Sequence, residues 1–203
     1  MGKIADMLGI NDAVAGFKNV RTLALTAILI ALAVIGYGLL RIEPIPGVRV
    51  SFGFVFLATI AFLFGPVTAF FAGVMANMLA FVMFPSGASF NPLFDLNRGV
   101  AGILYAIFLY KRNFKSEYFI IWVIAAKASV NFICHIVINT YLLIWMGFIH
   151  SDSINVFTTI RVFRNVLFLP VEIIIMFIVL KFAAVYARKY NFISERSERR
   201  SKS

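Results

Sequence analysis

The chain has 203 residues, of which 62% are hydrophobic and 14% are charged, and its mean hydropathy is +0.93. Since a soluble domain carries about a quarter charged residues, this composition excludes a water-soluble globule, and the 23 Phe exclude a disordered chain. The single cysteine, Cys134, excludes a disulfide scaffold. The chain is therefore predicted to be an integral membrane protein. Its net charge of +10 is interpreted as membrane topology, and not as nucleic-acid binding.

Apolar stretches follow one another along the chain, and most are as long as a membrane-spanning helix. They are residues 22–40, 51–64, 67–84, 93–110, 118–148 and 156–186. The second stretch is short because Gly65 and Pro66 stop it. None alternates with period two, which disfavours a closed barrel. The sequence predicts an all-α integral membrane protein, a compact bundle of roughly six transmembrane helices.

The distribution of basic residues predicts the orientation of this bundle. If the N-terminus lies inside, the inner segments hold 13 of the 19 Lys and Arg residues, which fits the positive-inside rule. Both termini are therefore expected to be cytoplasmic. Residues 1–20 form a cytoplasmic N-terminal segment, 21–187 the six-helix membrane domain, and 188–203 a basic cytoplasmic tail. The longer connections then face outside, where a lid over a site is expected.

Polar side chains recur inside the predicted fourth, fifth and sixth helices, although a charge at the centre of a spanning helix costs about 2.5–3.5 kcal/mol. In the fifth helix they recur every four residues and so share one face. The set comprises Asn77 on helix three, Asp95, Asn97 and Arg98 on helix four, Lys127, Asn131, His135 and Asn139 on helix five, and Arg161, Arg164, Asn165 and Glu172 on helix six. The N-terminus of helix four adds a positive dipole end. Together they predict an outward-facing polar cavity for a small anionic or zwitterionic solute.

Arg98 and Asn131 are the first candidates for binding this solute, because both can bond a carboxylate or an amide directionally. The full set of candidate substrate-binding residues is Arg98, Asn131, Asp95, His135, Arg164 and Asn77. No metal site is expected, since the two His and one Cys show no repeating ligand spacing. No cofactor is expected either.

Simpler interpretations stay open for several of these polar residues. Asp95 and Arg98 can form an internal ion pair, and His135 can be a hydrogen-bonded core residue. Lys127 can extend its ammonium group to the inner membrane interface. Glu172 can serve a structural role, bonding backbone groups that Pro170 frees.

The sequence contains no catalytic constellation. It lacks a nucleophile beside a base, paired carboxylates at depth and a phosphate-binding glycine loop, so the chain is not expected to be an enzyme. A membrane enzyme with His135 or Asp95 as acid or base, and a purely structural subunit, are the alternatives.

A separate signal is Ala27-x-x-x-Ala31 in helix one, which allows another helix to approach closely. A binding protein of this kind needs a partner that supplies energy.

Five stretches, in their order and spacing, resemble the substrate-binding S components of energy-coupling-factor (ECF) vitamin transporters, in particular the folate-family branch. They are residues 18–33 (KNVRTLALTAILIALA), 47–54 (GVRVSFGF), 63–67 (LFGPV), 99–110 (GVAGILYAIFLY) and 161–172 (RVFRNVLFLPVE). The resemblance implies a six-helix unit in the bacterial plasma membrane that captures a vitamin from outside and topples to release it. It also implies as partners a transmembrane coupling subunit of the EcfT type and two cytoplasmic ATPases. By this resemblance, Ala27 and Ala31 form the docking surface for the coupling subunit.

One stretch departs from the folate branch. In folate binders, the segment that leads into helix four resembles FPGFT, whereas residues 90–98 here read FNPLFDLNR. The change introduces Asp95 and Arg98 on the pocket side. A flat pterin needs stacking rings, while a short hydroxy acid amide needs hydrogen bonds and one cation. Pantothenate is therefore expected slightly ahead of folate, with Arg98 and Asn131 holding its carboxylate and amide.

Overall fold

Helices dominate the computed structural model, which describes residues 20–45, 48–85, 90–114, 116–147 and 154–189. In this part of the chain they are α1 (Val20–Gly38), α2 (Gly53–Phe64), α3 (Pro66–Met83), α4 (Pro92–Leu109), α5 (Phe119–Trp145) and α6 (Ile154–Lys189). All except α2 are long and apolar enough to cross a membrane. The predicted all-α membrane bundle is thus confirmed, and the cytoplasmic placement of both termini stays a prediction. The predicted terminal segments fall almost wholly outside the described residues.

The connection between α1 and α2 contains a short hairpin, where the sequence indicated only an outer loop. Strands β1 (Arg41–Ile45) and β2 (Val48–Ser51) pair antiparallel, with Arg41 opposite Ser51 and Ile42 opposite Val50. The β-branched residues of this segment favour strands, but two prolines and a glycine between them mark a turn just as strongly. A proline within β1 is compatible with pairing because a two-stranded sheet has only edge strands.

A minimal turn joins α2 to α3, as Gly65 and Pro66 predict. Gly65 has φ +87°, a conformation that favours glycine, and its N–H donates to the Ala61 carbonyl at 3.2 Å. Pro66 opens α3, where its fixed φ suits the first helical position and its missing N–H has no partner to lose.

Helix α2 lies inside the bundle, which explains how a helix of only 12 residues belongs among spanning helices. It contacts α1, α3, α4 and α6, and nine of its residues are buried. The outer surface is apolar instead, with exposed side chains such as Val82 on α3, Ile107 on α4 and Phe163 on α6. Large exposed apolar area of this kind fits a lipid surround.

Helices α3 and α4 touch backbone to backbone through glycine. A Cβ added to Gly73 would lie 2.5 Å from the Arg98 carbonyl oxygen, and one added to Gly102 would lie 2.4 Å from that of Ala69. Neither backbone oxygen can move independently of its helix. Glycine at these positions therefore fixes α4, with the polar residues of its first half, against α3.

Replacing Gly102 by valine is expected to destabilise the protein by about 1–3 kcal/mol, because the added carbons force α3 and α4 apart. Thermal unfolding of the detergent-purified protein measures this loss. Ala24→Val on α1 is the matched control, since Ala24 is exposed and can take the larger side chain. Equal melting temperatures for the two variants would contradict the direct backbone contact.

Candidate functional site

A buried ion pair joins α5 to α6 in the polar interior. The Lys127 side chain is 1% exposed, and its Nζ lies 3.2 Å from Oε2 of Glu172, which is 15% exposed. The Lys127 Nζ also lies 3.5 Å from the centroid of the Phe54 ring on α2. The interpretation that Lys127 extends to the inner interface is therefore wrong. Packing of α5 against α6 places a carboxylate opposite the ammonium group, and a paired charge can stay buried.

Asn131 completes this pair. Its Nδ2 donates to the same Glu172 Oε2 at 3.2 Å, one turn along α5 from Lys127. Two donors on one oxygen hold the carboxylate in a fixed orientation. The contacts of Glu172 are thus with side chains of α5, whereas its expected structural role was to bond backbone groups near Pro170. Glu172 is the centre of the polar contacts between α5 and α6.

Arg98 faces α1 and carries a second part of the site. Its guanidinium carbon lies 4.7 Å from the centroid of the Tyr37 ring, a cation–π contact. The Tyr37 ring packs directly against Gly53, and the next residue, Phe54, contacts Lys127, so these rings link Arg98 to the Lys127–Glu172 pair. The guanidinium is only partly buried, so it has donors available for an anion.

Asp95 bonds Asn77 and not Arg98, so the alternative interpretation of an internal Asp95–Arg98 ion pair is wrong. The Asp95 carboxylate accepts a hydrogen bond from Asn77 Nδ2 at 2.7 Å, which ties α4 to α3. This bond joins two candidate binding residues to each other. Asp95 is buried, and Asn77 partly buried.

Asn97 ties α4 to α5 at a break in regular α-helix geometry. Residues Asn131–Ile138 form a π-helical segment, and Asn97 Nδ2 donates to the Cys134 carbonyl at 3.1 Å. Short π-helical segments are frequent at functional sites. Asn97 belongs to the polar residues identified in the sequence but is not among the candidate substrate-binding residues. Its position between Asp95 and Arg98 was the one available signal.

Several buried polar atoms near these groups make no hydrogen bond within the described part of the chain. They are Tyr37 Oη, Asn97 Oδ1, Tyr105 Oη, Asn131 Oδ1 and Thr140 Oγ1. An unsatisfied buried polar atom costs about 1–3 kcal/mol, so such a concentration indicates atoms kept for water or a ligand. Sequence reasoning missed Tyr37 and Tyr105, because a tyrosine in an apolar helix is indistinguishable from a core aromatic residue.

The remaining candidates occupy the edge of this region. Arg164 on α6 is partly buried, its Nη2 lies 3.4 Å from Asn165 Oδ1, and its charge interacts with those of Glu172 and Arg98. His135 is partly buried in the π-helical segment. The structure thus brings Asn131 onto Glu172 and Arg98 onto Tyr37, whereas Asn77 and Asp95 contact each other. Among the described residues, no three metal-ligating side chains come together.

Ala27 and Ala31 lie on the outer surface of α1. Both are exposed, as are Ile28 and Ile35 on the same side, while the opposite side of the helix packs into the bundle through buried residues such as Ala33. No other helix in the described part of the chain covers them. A partner helix can therefore reach this small-residue face.

Comparisons with known proteins agree with this architecture. Residues 21–181 match the family described as ECF transporter, substrate-specific component. The folate transporter FolT of Clostridium novyi (strain NT) is 26% identical over 160 residues, which cover 79% of this chain and 88% of that protein. A crystal structure of FolT bound with folic acid matches with a TM-score of 0.67 and 26% identity, covering 78% of this chain and 92% of that one. These relatives are transport components and not enzymes. The chain belongs to the family of substrate-specific components of ECF transporters.

Proposed function

We propose that this protein captures a folate-type vitamin from outside the bacterial plasma membrane. The observation that carries the proposal is the similarity to FolT bound with folic acid, which extends over most of both chains. This reverses the order expected from the sequence, where pantothenate stood ahead of folate. The comparisons offer no support for pantothenate.

The contact of Asp95 removes one reason to expect a small polar solute. From the sequence, Asp95 is a new charge on the pocket side, but its carboxylate accepts a hydrogen bond from Asn77. Aromatic rings accompany the charged groups instead, namely Tyr37 at Arg98 and Phe54 at Lys127. Flat rings beside cations suit a ligand that has both a heterocycle and carboxylates, as folate has.

Transport requires partners that this chain does not supply. We propose that it delivers the vitamin through a transmembrane coupling subunit and two cytoplasmic ATPases, with Ala27 and Ala31 contacting the coupling subunit. Both termini are placed in the cytoplasm, which puts the N-terminal end of α4 and the hairpin on the outer side. Residues 21–187 form the membrane domain in this arrangement.

Detergent-purified protein is expected to bind folic acid with one-to-one stoichiometry, because the Lys127–Glu172 pair with Asn131 provides one binding cluster. Isothermal titration calorimetry measures the stoichiometry and the affinity. An approximately hundredfold excess of pantothenate should leave the folic acid isotherm unchanged, which tests the order of the two vitamins. Displacement by pantothenate, or no binding of folic acid, would contradict the proposal. Chemical conversion of the ligand would instead favour a membrane enzyme.

A further inference from the structure

The Glu172 carboxylate is held on one side only. The Lys127 ammonium group and the Asn131 amide both contact Oε2, each at 3.2 Å. Contacts from the described residues thus converge on one oxygen, and Oε1 keeps its capacity to accept. Lys127 and Asn131 are almost fully buried, while Glu172 retains some exposure. The carboxylate is therefore oriented by buried groups, and its second oxygen is able to accept a further hydrogen bond.

A second acceptor lies on Asn131, one of the two residues that hold Glu172. Asn131 donates its Nδ2 to Glu172. Its buried Oδ1 is an acceptor, and no described residue donates to it. The buried Tyr105 hydroxyl also has no partner in the described chain. Two acceptor oxygens on side chains that are bonded to each other suit a ligand that presents adjacent N–H groups.

The charges around Glu172 indicate that the part of the ligand bound there is neutral. Lys127 already neutralises Glu172, and the positive charge of Arg98 acts on the same region. A cationic amidine would meet two cations here, whereas a neutral ring edge with an amino group beside a ring N–H would not. The anionic part of a ligand belongs at Arg98, which is partly exposed and carries up to five donors.

We propose that Glu172, held by Lys127 and Asn131, is a specificity-determining residue whose carboxylate binds the amino and N–H edge of a neutral, flat heterocycle. The inference rests on the proposed function, since the 2-amino-4-oxopteridine ring of folate has such an edge. It assigns the orientation of the vitamin, with the pteridine at Glu172 and the carboxylates toward Arg98.

Two ligands and one double variant test this assignment. The ligands are folic acid and an analogue in which hydrogen replaces the 2-amino group. Glu172→Gln alone would leave Lys127 as an unpaired buried cation, which is strongly destabilising. The double variant Lys127→Met/Glu172→Gln removes both charges, keeps the shape of the Glu172 side chain and shortens that of Lys127 by one atom. Lys181→Met on α6 is the matched control, because Lys181 contacts Phe177 and lies outside the cluster.

Calorimetry gives the ratio of the two dissociation constants for each protein. In the natural protein and in Lys181→Met, the analogue is expected to bind at least about tenfold more weakly than folic acid. In the double variant, folic acid should lose about tenfold or more, and the ratio should fall close to one.

A folded double variant that keeps the natural ratio would overturn the inference, with folding checked by size-exclusion chromatography and circular dichroism. Equal affinity of the natural protein for both ligands would overturn it without any variant. Failure of the natural protein to bind either ligand would instead overturn the proposed function, and the inference with it. The assignment is supported if loss of the 2-amino group weakens binding to the natural protein and does not weaken binding to the double variant.

Discussion

Replacing Arg98 by alanine is expected to weaken folic acid binding at least tenfold, a loss of about 1.4 kcal/mol. The guanidinium is partly exposed and lies over the Tyr37 ring at 4.7 Å, so it has donors available to bond a carboxylate of the ligand. Asn131→Ala is expected to cause a loss of the same order, because it removes one of the two groups that orient Glu172. Titration calorimetry on detergent-purified variants measures both changes.

The chain offers a matched control for the arginine. Arg112 also stacks on an aromatic ring, with its guanidinium carbon 3.5 Å from the Trp122 centroid, but it is exposed and lies after α4, away from the cluster. Arg112→Ala should leave the affinity unchanged. Arg98→Lys should give an intermediate affinity, since it keeps the charge and loses the planar fork. Unchanged affinity in both Arg98→Ala and Asn131→Ala would remove these residues from the site.

Hydrophobic runs were sufficient to predict the helices, because burial of apolar area in lipid requires a continuous stretch of fixed minimum length. The observed helix ends lie within about three residues of the predicted ones. The turn at Gly65 was equally predictable, since glycine followed by proline has few conformational options. These features depend on local sequence alone.

The partners of the polar residues were not predictable in the same way. Lys127 and Glu172 are 45 residues apart, and only the packing of α5 on α6 decides that they meet. Asp95 is within reach of Arg98 by spacing, yet the close glycine contacts between α3 and α4 bring it to Asn77 instead. The π-helical segment also lacks a sequence pattern. It changes which side of α5 the residues after Val130 face, and a regular α-helical stripe does not take this into account.

Ala27→Trp and Ala31→Trp are expected to abolish vitamin uptake while leaving vitamin binding intact. Both alanines are exposed on α1, and an indole there would hold a partner helix away from the backbone that it needs to approach. The binding cluster should not respond, because α1 contributes to it through Tyr37, which is buried and lies six residues beyond Ala31. Uptake of labelled folic acid by cells, compared with calorimetry on the purified variant, separates the two effects.

Lipid contact and partner contact both leave an alanine exposed, and a tryptophan control distinguishes them. Val82 on α3 is also strongly exposed, and Val82→Trp adds an indole to the bundle surface without touching the face of Ala27 and Ala31. If that face only meets lipid, all three variants should transport equally, since tryptophan is tolerated beside lipid. If it contacts the coupling subunit, only the α1 variants should fail to co-purify with it. Co-purification that survives both alanine substitutions would therefore refute the docking role, whatever the uptake assay gives.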